Sequence, residues 1–252
     1  MQQVLILVAL AVSTASCELS LAFNDEPLLP YLAGSGPEIL PQQPGIAVEM
    51  VQRVAADLGC TIRYYRMPNR RVLAETQSGR YDGAFMYSYN AERAVHLAYP
   101  EIDGHPDPSR RMTSLSYYAY RRQGSEVNWD GKRFSQLNGS VGVNLGWSVG
   151  NDLRNLGIPI EEALSTKQNF DKLRAGRIGA YATQDLAGDS ALRNLGYKDI
   201  ERLPLPISTK DYYLVFNRDF YHRNRPIVER FWKRLGAVRD EVLRQTAPRY
   251  TE

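Results

Sequence analysis

Cysteine and histidine are scarce in this sequence: its 252 residues include two cysteines and three histidines. Neither residue type recurs at the short spacing that zinc sites use, and no carboxylate cluster takes their place, so we expect no metal site. The phosphate-binding loop and the dinucleotide-binding fingerprint are also missing. We therefore expect the protein to use no cofactor.

A strong charge and a long apolar run are missing as well. The formal net charge is +3, and lysine and arginine are scattered rather than gathered in a stripe, so we do not expect a nucleic-acid partner. The apolar run from Val4 to Val12 is too short to span a bilayer as a helix. What the chain does have is 43% hydrophobic residues, enough for one good core or two small ones.

The run from Val4 to Val12 is followed by small residues, a pattern typical of a secretory signal. We expect residues 1–17 to be a signal peptide, with cleavage either after Ala15 or after Cys17. Two alternatives stay open. The first three residues carry no lysine or arginine, so the run also fits a first core strand. The Thr14 to Cys17 segment also resembles a weak lipoprotein box, which would anchor the chain at Cys17.

An α/β pattern organises the stretch from Pro44 to Pro100. Apolar residues at three- and four-residue spacing predict a helix that ends at Gly59, and a β-prone run, Thr61 to Tyr65, follows it. A second helix pattern ends at Ser78-Gly79, and an apolar strand, Ala84 to Tyr87, comes next. This alternation of helices and strands predicts a parallel α/β sheet.

The same stretch resembles the N-terminal lobe of the periplasmic solute-binding proteins of the amino-acid-binding kind, known as type II or family 3. Six short motifs stand in the order that the family has: Pro44-Gly45, Leu58-Gly59, Pro68 to Arg71, Gly79 to Gly83, Ser88 to Arg93, and Tyr99-Pro100. No single motif is specific, and the resemblance rests on their order and spacing. It covers nearly all of the chain after the signal, more loosely from 101 to 135.

The resemblance implies an α/β fold of two lobes, each with a parallel-type sheet and helices, joined by a two-strand hinge. Two β-prone runs, Ser116 to Tyr120 and Tyr212 to Phe216, fit the hinge strands. We therefore expect a first lobe over 18–120, an inserted second lobe over 121–212, and a return to the first lobe over 213–252. A short internal similarity favours two similar lobes, since the segments Ser78 to Ala84 and Ala175 to Ala180 each end a predicted helix and begin a predicted strand.

In the first lobe, the resemblance implies that Arg93 binds a ligand carboxylate. A guanidinium can give a carboxylate two parallel, charge-assisted hydrogen bonds. A surface arginine is the alternative interpretation. The other residues that the resemblance places at the ligand in this lobe are a hydroxyl, an amide and two aromatic rings: Ser88, Asn69, Tyr31 and Tyr87.

In the second lobe, the resemblance implies that a strand-to-helix turn presents backbone N–H groups and the hydroxyl of Ser148, with Trp147 as an aromatic wall. The position at which the family has an amine-binding carboxylate corresponds to Gln184 in this sequence, and Asp185 is the next residue. Because a glutamine does not neutralise an ammonium as an aspartate does, we expect carboxylates without an amine to bind better than α-amino acids, unless Asp185 turns inward.

The two cysteines each precede a predicted strand of the first lobe, Glu18 to Phe23 and Thr61 to Tyr65. If these strands are parallel neighbours, both thiols lie at the same end of the sheet. Exported proteins tend to pair such thiols, so we expect a disulfide between Cys17 and Cys60. The alternative is a buried Cys60 thiol, with Cys17 lost or lipidated.

A rival class is suggested by the segment Gly146 to Gly150, which reads G-x-S-x-G as in the nucleophile elbow of α/β serine hydrolases. A hydrolase also needs an acid and then a histidine later in the chain, and His222 is the one histidine that follows Ser148. No glycine run that would build an oxyanion hole precedes the elbow. We therefore expect a protein that is not an enzyme, with the hydrolase as the alternative.

The expected function is that of an exported, periplasmic and monomeric binding protein. It would capture a small polar ligand with a carboxylate, an amino acid or a related compound, between its two lobes. The resemblance implies the membrane subunits of an ABC importer as the partner. A stand-alone ligand sensor of the same fold is the second alternative.

Overall fold

The structure is a computed structural model that describes residues 17–250. The predicted signal peptide, residues 1–17, lies outside the described residues except for its last position. The strands are β1 (Cys17–Asn24), β2 (Cys60–Met67), β3 (Gly83–Ser88), β4 (Leu97–Ala98), β5 (Glu101–Ile102), β6 (His105–Pro106), β7 (Thr113–Arg122), β8 (Asn128–Trp129), β9 (Phe134–Ser135), β10 (Val141–Asn144), β11 (Ile160–Ala163), β12 (Ala180–Gln184) and β13 (Ile200–Asn217). The α-helices are α1 (Ile46–Leu58), α2 (Asn69–Gln77), α3 (Ala91–Ala94), α4 (Val149–Asn155), α5 (Thr166–Arg174), α6 (Asp185–Leu195) and α7 (Arg218–Thr246). Two 3₁₀ turns, Pro108–Arg110 and Ala247–Tyr250, complete the described part.

Nine strands form one continuous sheet in the described part, in the order β11-β10-β12-β7-β13-β3-β1-β2, with β4 added beside β13. The strands of the first lobe, β2-β1-β3, are parallel to one another, and so are β11-β10-β12 of the second lobe. This arrangement confirms the α/β prediction of two parallel-type sheets with a two-strand connection. The structure adds that the connecting strands β7 and β13 are antiparallel to their neighbours, which makes the two sheets continuous.

The long strand β13 belongs to both lobes. It pairs with β7 from Ile200 to Tyr212 and with β3 from Tyr212 to Phe216. Its partner β7 pairs with β12 of the second lobe over Tyr117 to Tyr120. The chain therefore crosses between the lobes twice, along two hydrogen-bonded strands. The residues at which one lobe passes to the other, 120/121 and 212/213, stay a prediction.

Helix α1 forms where its apolar spacing predicts. Ile46, Val48, Val51 and Val54 are fully or nearly fully buried on one face, and the helix ends at Gly59 with a φ of 68°. A left-handed residue is needed there to turn the chain into β2, and glycine adopts that conformation without a steric cost.

The internal sequence similarity between residues 78–84 and 175–180 corresponds to two equivalent turns. Gly79 follows α2 with a φ of 80°, and Gly176 follows α5 with a φ of 70°. The next N–H in each turn reaches back to the last helical turn: Arg80 to the Glu75 carbonyl at 3.0 Å, and Arg177 to the Lys172 carbonyl at 2.9 Å. Each lobe therefore uses the same helix ending to enter an inner strand.

Helix α7 has two segments. The first starts at Arg218, where the Asn217 side chain accepts the Phe220 N–H at 3.0 Å. The backbone is not helical at Asn224, so Pro226 opens a second segment, where its missing N–H costs no hydrogen bond. The buried face of this segment packs on the first lobe, and the Trp232 indole donates to the Leu214 carbonyl at 2.7 Å.

The predicted disulfide is confirmed. Strands β1 and β2 are parallel neighbours, and Cys17 stands directly opposite Cys60 in their register. The two residues are joined by a disulfide bond that closes 43 residues of chain. Across residues 17–250, we find no helix with the length and apolar character needed to cross a membrane.

Candidate functional site

The candidate site is the cleft between the two lobes. Side chains of the first lobe, the second lobe and both connecting strands line it, and the cavity that remains between them is about 40 Å³. Among the described residues that line the cleft, Arg93 is the one with a charge. The remaining lining groups are hydroxyls, amides, aromatic rings and aliphatic side chains.

Strand β3 contributes four of the lining residues, Phe85 to Ser88. All six of its residues are buried, and it carries a β-bulge at Met86, which has a φ of 65°. The register slips at this point, because Tyr87 pairs with Tyr213 while Phe85 pairs with Leu214. A bulge bends the strand and redirects the side chains that follow. Met86, Tyr87 and Ser88 consequently all reach the cleft.

Arg93 is positioned by the short helix α3. The Asn90 side chain caps this helix by accepting the N–H groups of Glu92 at 2.8 Å and Arg93 at 3.2 Å. The Arg93 guanidinium donates to the Ser88 carbonyl at 3.1 Å and to the Gly146 carbonyl of the other lobe at 2.8 Å. Arg93 is only 9% exposed.

No carboxylate of residues 17–250 lies within 4.0 Å of the Arg93 guanidinium. The hydrogen-bond acceptors of the Arg93 guanidinium are uncharged carbonyl and hydroxyl oxygens. A buried cation without a counter-charge is costly, and an anionic ligand in the cleft would remove that cost. The arrangement therefore suits a carboxylate at this place.

The second lobe meets the first at the turn after β10. Gly146 has a φ of 75°, and the turn places Trp147 and Ser148 against the cleft. The Ser148 hydroxyl lies 3.0 Å from the Ser88 hydroxyl across the cleft, and both residues are buried. The lobes are therefore in direct contact, and the structure is closed.

The base of the cleft is a chain of uncharged polar groups. The Gln184 amide donates to the Tyr212 hydroxyl at 2.5 Å, and that hydroxyl donates to the Tyr117 hydroxyl at 2.8 Å. Burial raises the pKa of both tyrosines, so both stay neutral at physiological pH. The Gln184 side-chain oxygen is buried and has no hydrogen-bond partner within the described part of the chain. A donor group of a ligand could satisfy it.

The comparisons with known proteins bear on the fold. No protein-family model matches the chain, and no curated protein sequence matches it. Solved structures do match over nearly the whole chain. The GluR0 ligand-binding core from Nostoc punctiforme in complex with L-glutamate has a TM-score of 0.69 at 14% identity, and the match covers 92% of this chain and 99% of that one.

Two further structures are equally similar. A histidine kinase sensor domain with similarity to periplasmic binding proteins has a TM-score of 0.72 at 14% identity, covering 94% of this chain and 96% of that one. An amino acid ABC transporter substrate-binding protein from Streptococcus pneumoniae, bound to L-arginine, has a TM-score of 0.69 at 16% identity, covering 93% and 96%. The chain has the two-lobed periplasmic-binding-protein fold.

Within this periplasmic-binding-protein fold, most of the predicted binding residues meet in one place. The cleft brings together seven of the nine: Asn69, Tyr87, Ser88, Arg93, Trp147, Ser148 and Gln184. Asn69 accepts the Tyr87 hydroxyl at 2.8 Å, and Trp147 lies edge-on to the Tyr117 ring with centroids 6.2 Å apart.

Two predicted residues lie elsewhere. The Tyr31 hydroxyl accepts from the Thr113 hydroxyl at 2.6 Å, and Leu28 and Leu32 of the same loop line the cleft in its place. The Asp185 carboxylate accepts the Leu186 N–H at 2.9 Å and lies 3.9 Å from Arg202. Asp185 is thus turned away from the cleft, toward the cation and helix N-terminus that stabilise its charge.

Sequence reasoning missed the two hydroxyls at the base of the cleft. Tyr117 and Tyr212 lie in the β-prone runs that predict the hinge, and both line the cleft. A signal was available, because side chains alternate between the two faces of a strand. One tyrosine of each pair, Tyr117-Tyr118 and Tyr212-Tyr213, was therefore a candidate to face the cleft. Nothing in the sequence says which of each pair faces the ligand.

The hydrolase alternative requires a histidine beside Ser148. The hydrogen-bond partner of the Ser148 hydroxyl is the Ser88 hydroxyl, and within residues 17–250 no histidine side chain hydrogen-bonds Ser148. The G-x-S-x-G segment therefore forms a turn at the cleft without the base that would activate a serine nucleophile.

A second contact between the lobes lies beside the cleft. Glu26, in the loop after β1, accepts the side-chain N–H of Asn144 at the end of β10, at 3.3 Å. Burial, and then the neighbouring charge of Asp25, raise the pKa of Glu26 to about 7. The charge state of this carboxyl group therefore changes near neutral pH while it bridges the lobes.

Proposed function

We propose that this chain is a substrate-binding protein that encloses one small carboxylate ligand between its lobes, with Arg93 holding the carboxylate. The observation that carries the proposal is the buried Arg93 guanidinium, which is the one charged group among the lining residues and has no counter-charge. An anionic ligand supplies the missing charge, and a carboxylate matches the geometry of the guanidinium.

The ligand that fits best lacks an α-amino group. Two of the proteins of similar structure named above hold L-glutamate and L-arginine, both of which carry an ammonium. Among residues 17–250 no acidic side chain lines the cleft, Gln184 stands at the expected amine position, and Asp185 faces Arg202. An ammonium would therefore lose its hydration without gaining a counter-charge.

The other cleft residues have supporting roles in this proposal. Ser88 and Ser148 offer hydroxyls to the ligand, the rings of Tyr87 and Trp147 enclose it, and Asn69 orients the Tyr87 hydroxyl. Ligand binding would favour the closed form, because its contacts come from both lobes at once. We infer that the ligand leaves unchanged and that the protein is not an enzyme.

Export and transport complete the proposal. A signal peptide cleaved after Ala15, which keeps Cys17 in the mature chain, and a disulfide within the first lobe fit an exported, periplasmic protein. We infer that the protein acts as a monomer and delivers its ligand to the membrane subunits of an ABC importer. A sensor role is the alternative, favoured by the likeness to the histidine kinase sensor domain.

Native mass spectrometry of the purified protein tests the proposal. The expected result is a mass excess that disappears on denaturation and matches a small carboxylic acid in the released fraction. The proposed ligand class would be refuted if a cationic ligand co-purifies with the protein, or if the protein binds no member of a panel of carboxylates.

A further inference from the structure

Helix α7 concentrates the positive charge of the chain. Its sequence, Arg218–Thr246, has eight lysine or arginine residues and four acidic ones, a net charge of +4. The whole chain has a net charge of +3, so the rest of the sequence is slightly acidic.

Four of the eight basic residues of α7 are engaged within the fold. Arg218 donates to the Ala94 carbonyl, and the Arg225 guanidinium lies 5.9 Å from the centroid of the Tyr221 ring. The other two form ion pairs with carboxylates, Arg234 with Asp57 at 2.7 Å and Arg239 with Asp240 at 2.8 Å.

The other four are exposed and make no ion pair or side-chain hydrogen bond with any residue of 17–250. We name them the basic stripe: Arg223, Arg230, Lys233 and Arg244. Three acidic residues of α7 already have basic partners: Glu229 with Arg110 at 2.7 Å, Asp240 with Arg239, and Glu241 with Arg53 at 3.6 Å. Within residues 17–250 no acidic residue of α7 forms an ion pair with the stripe, and the nearest electrostatic interaction is that of Asp240 with Arg244.

Three of the four stripe residues lie along one face of a single helical segment. Arg230, Lys233 and Arg244 lie in the segment after the irregular residue Asn224 and recur at helical spacing, while the opposite face, with Phe231 and Leu235, is buried in the first lobe. From Arg230 to Arg244 the helix is about 21 Å long. No residue of α7 lines the cleft, so the stripe is separate from the candidate ligand site.

The chemistry of the stripe favours a lipid surface over a protein partner. A protein interface is usually centred on buried aromatic or aliphatic anchors, and none of the exposed large hydrophobic residues of the described chain lies on α7. An anionic bilayer needs no such anchor, because it attracts basic side chains through its surface potential. We propose that the basic stripe of α7 binds the first lobe to anionic phospholipid surfaces.

Vesicle co-sedimentation of the purified protein tests this proposal. The probe is a vesicle of two parts phosphatidylcholine to one part phosphatidylglycerol, with pure phosphatidylcholine as the neutral reference. We expect binding to the anionic vesicles at low salt and a loss of binding as salt screens the attraction. In a triple variant, Arg230→Gln, Lys233→Gln and Arg244→Gln, the partition coefficient should fall by at least about tenfold.

A matched variant separates local from global charge. Lys132→Gln, Arg177→Gln and Lys198→Gln remove the same charge from exposed positions outside α7 that make no ion pair among residues 17–250. This control should keep most of the vesicle binding, and an unchanged melting temperature in both variants excludes unfolding. An equal loss in both variants, or no binding of the wild-type protein to anionic vesicles, overturns the proposal, including the case in which the stripe binds an acidic protein instead.

Discussion

Arg93 of the first lobe donates a hydrogen bond of 2.8 Å to the Gly146 carbonyl of the second lobe. The guanidinium that is placed to bind a carboxylate therefore also joins the lobes. Its fork has further N–H groups, which a carboxylate can occupy while the bond to Gly146 is kept. Ligand binding would then favour lobe closure, and lobe closure would favour ligand binding, through the Arg93 side chain.

The contact between Ser88 and Ser148 leads to a first prediction. Ser148→Ala removes one hydroxyl from the interface between the lobes and should weaken ligand binding by about 1 kcal/mol, as the loss of one hydrogen bond does. Isothermal titration with the ligand identified by mass spectrometry measures this change. A fluorophosphonate probe should leave the wild-type protein unlabelled, and stoichiometric labelling of Ser148 would instead establish a serine hydrolase.

Gln184 is expected to set the preference between carboxylates and α-amino acids. Gln184→Asp places an anion where the amine would lie, so affinity for α-amino acids should rise relative to matched carboxylates by at least about tenfold. Asp185→Asn is the matched control, because that carboxylate faces Arg202 and its removal should not change the preference. If both variants keep the wild-type ligand order in a thermal-shift panel, Gln184 does not contact the ligand.

Much of this architecture was predictable because its signals are local. The apolar spacing of α1, the glycine that ends it, and the β-prone runs of β2 and β3 each reflect a preference of a short segment. The pairing of Cys17 with Cys60 follows once β1 and β2 are parallel neighbours, and that prediction is confirmed.

The parts that sequence reasoning missed depend on contacts between distant segments. The Tyr31 hydroxyl bonds Thr113, and the Asp185 carboxylate lies near Arg202, and neither partner is near in sequence. The bulge at Met86 arises from a register slip against β13. The basic stripe of α7 has the same origin, since pairing with distant residues such as Asp57 decides which basic side chains of the helix remain unpaired.

Glu26 should make stability depend on pH. Its ordinary pKa of 4.5 is raised to about 7 in the fold, so between these values the folded protein keeps a proton that the unfolded chain releases. Stability is therefore lost as pH rises from 4.5 through about 7, by no more than about 3 kcal/mol. Glu26→Gln should remove this loss and raise the melting temperature on the alkaline side, with little effect in acid.

Calorimetric scans across this pH range compare the Glu26→Gln variant with the wild type. Glu38→Gln, at an exposed glutamate, serves as the control for the loss of one negative charge. A constant difference in melting temperature between Glu26→Gln and the wild type at all pH values would mean that Glu26 does not titrate between the lobes.

The disulfide should contribute measurably to stability. It closes 43 residues, for which the chain-entropy estimate is about 4 kcal/mol. A double variant, Cys17→Ser with Cys60→Ser, should therefore unfold at lower urea concentration than the oxidised wild type. Chemically reduced wild type should match the double variant, and equal midpoints for oxidised and reduced protein would leave the bond without a stabilising role.

The central claim is that Arg93 binds the carboxylate of the ligand in the closed cleft. Arg93→Ala would leave that carboxylate buried without a partner, at an expected cost of about 3–5 kcal/mol, which corresponds to roughly a hundredfold to several thousandfold in affinity. Arg93→Lys should recover part of the loss, because an ammonium lacks the planar fork. Arg80→Ala, at an exposed arginine that pairs with Glu75, is the control and should bind as the wild type does.

The most direct measurement is isothermal titration of the best carboxylate from a thermal-shift panel against the wild type and these three variants. We expect wild type and Arg80→Ala to bind equally tightly, Arg93→Lys to bind more weakly, and Arg93→Ala to bind at least about a hundredfold more weakly than the wild type. If Arg93→Ala binds the same ligand as tightly as the wild type, Arg93 does not hold the carboxylate and the proposed site is wrong.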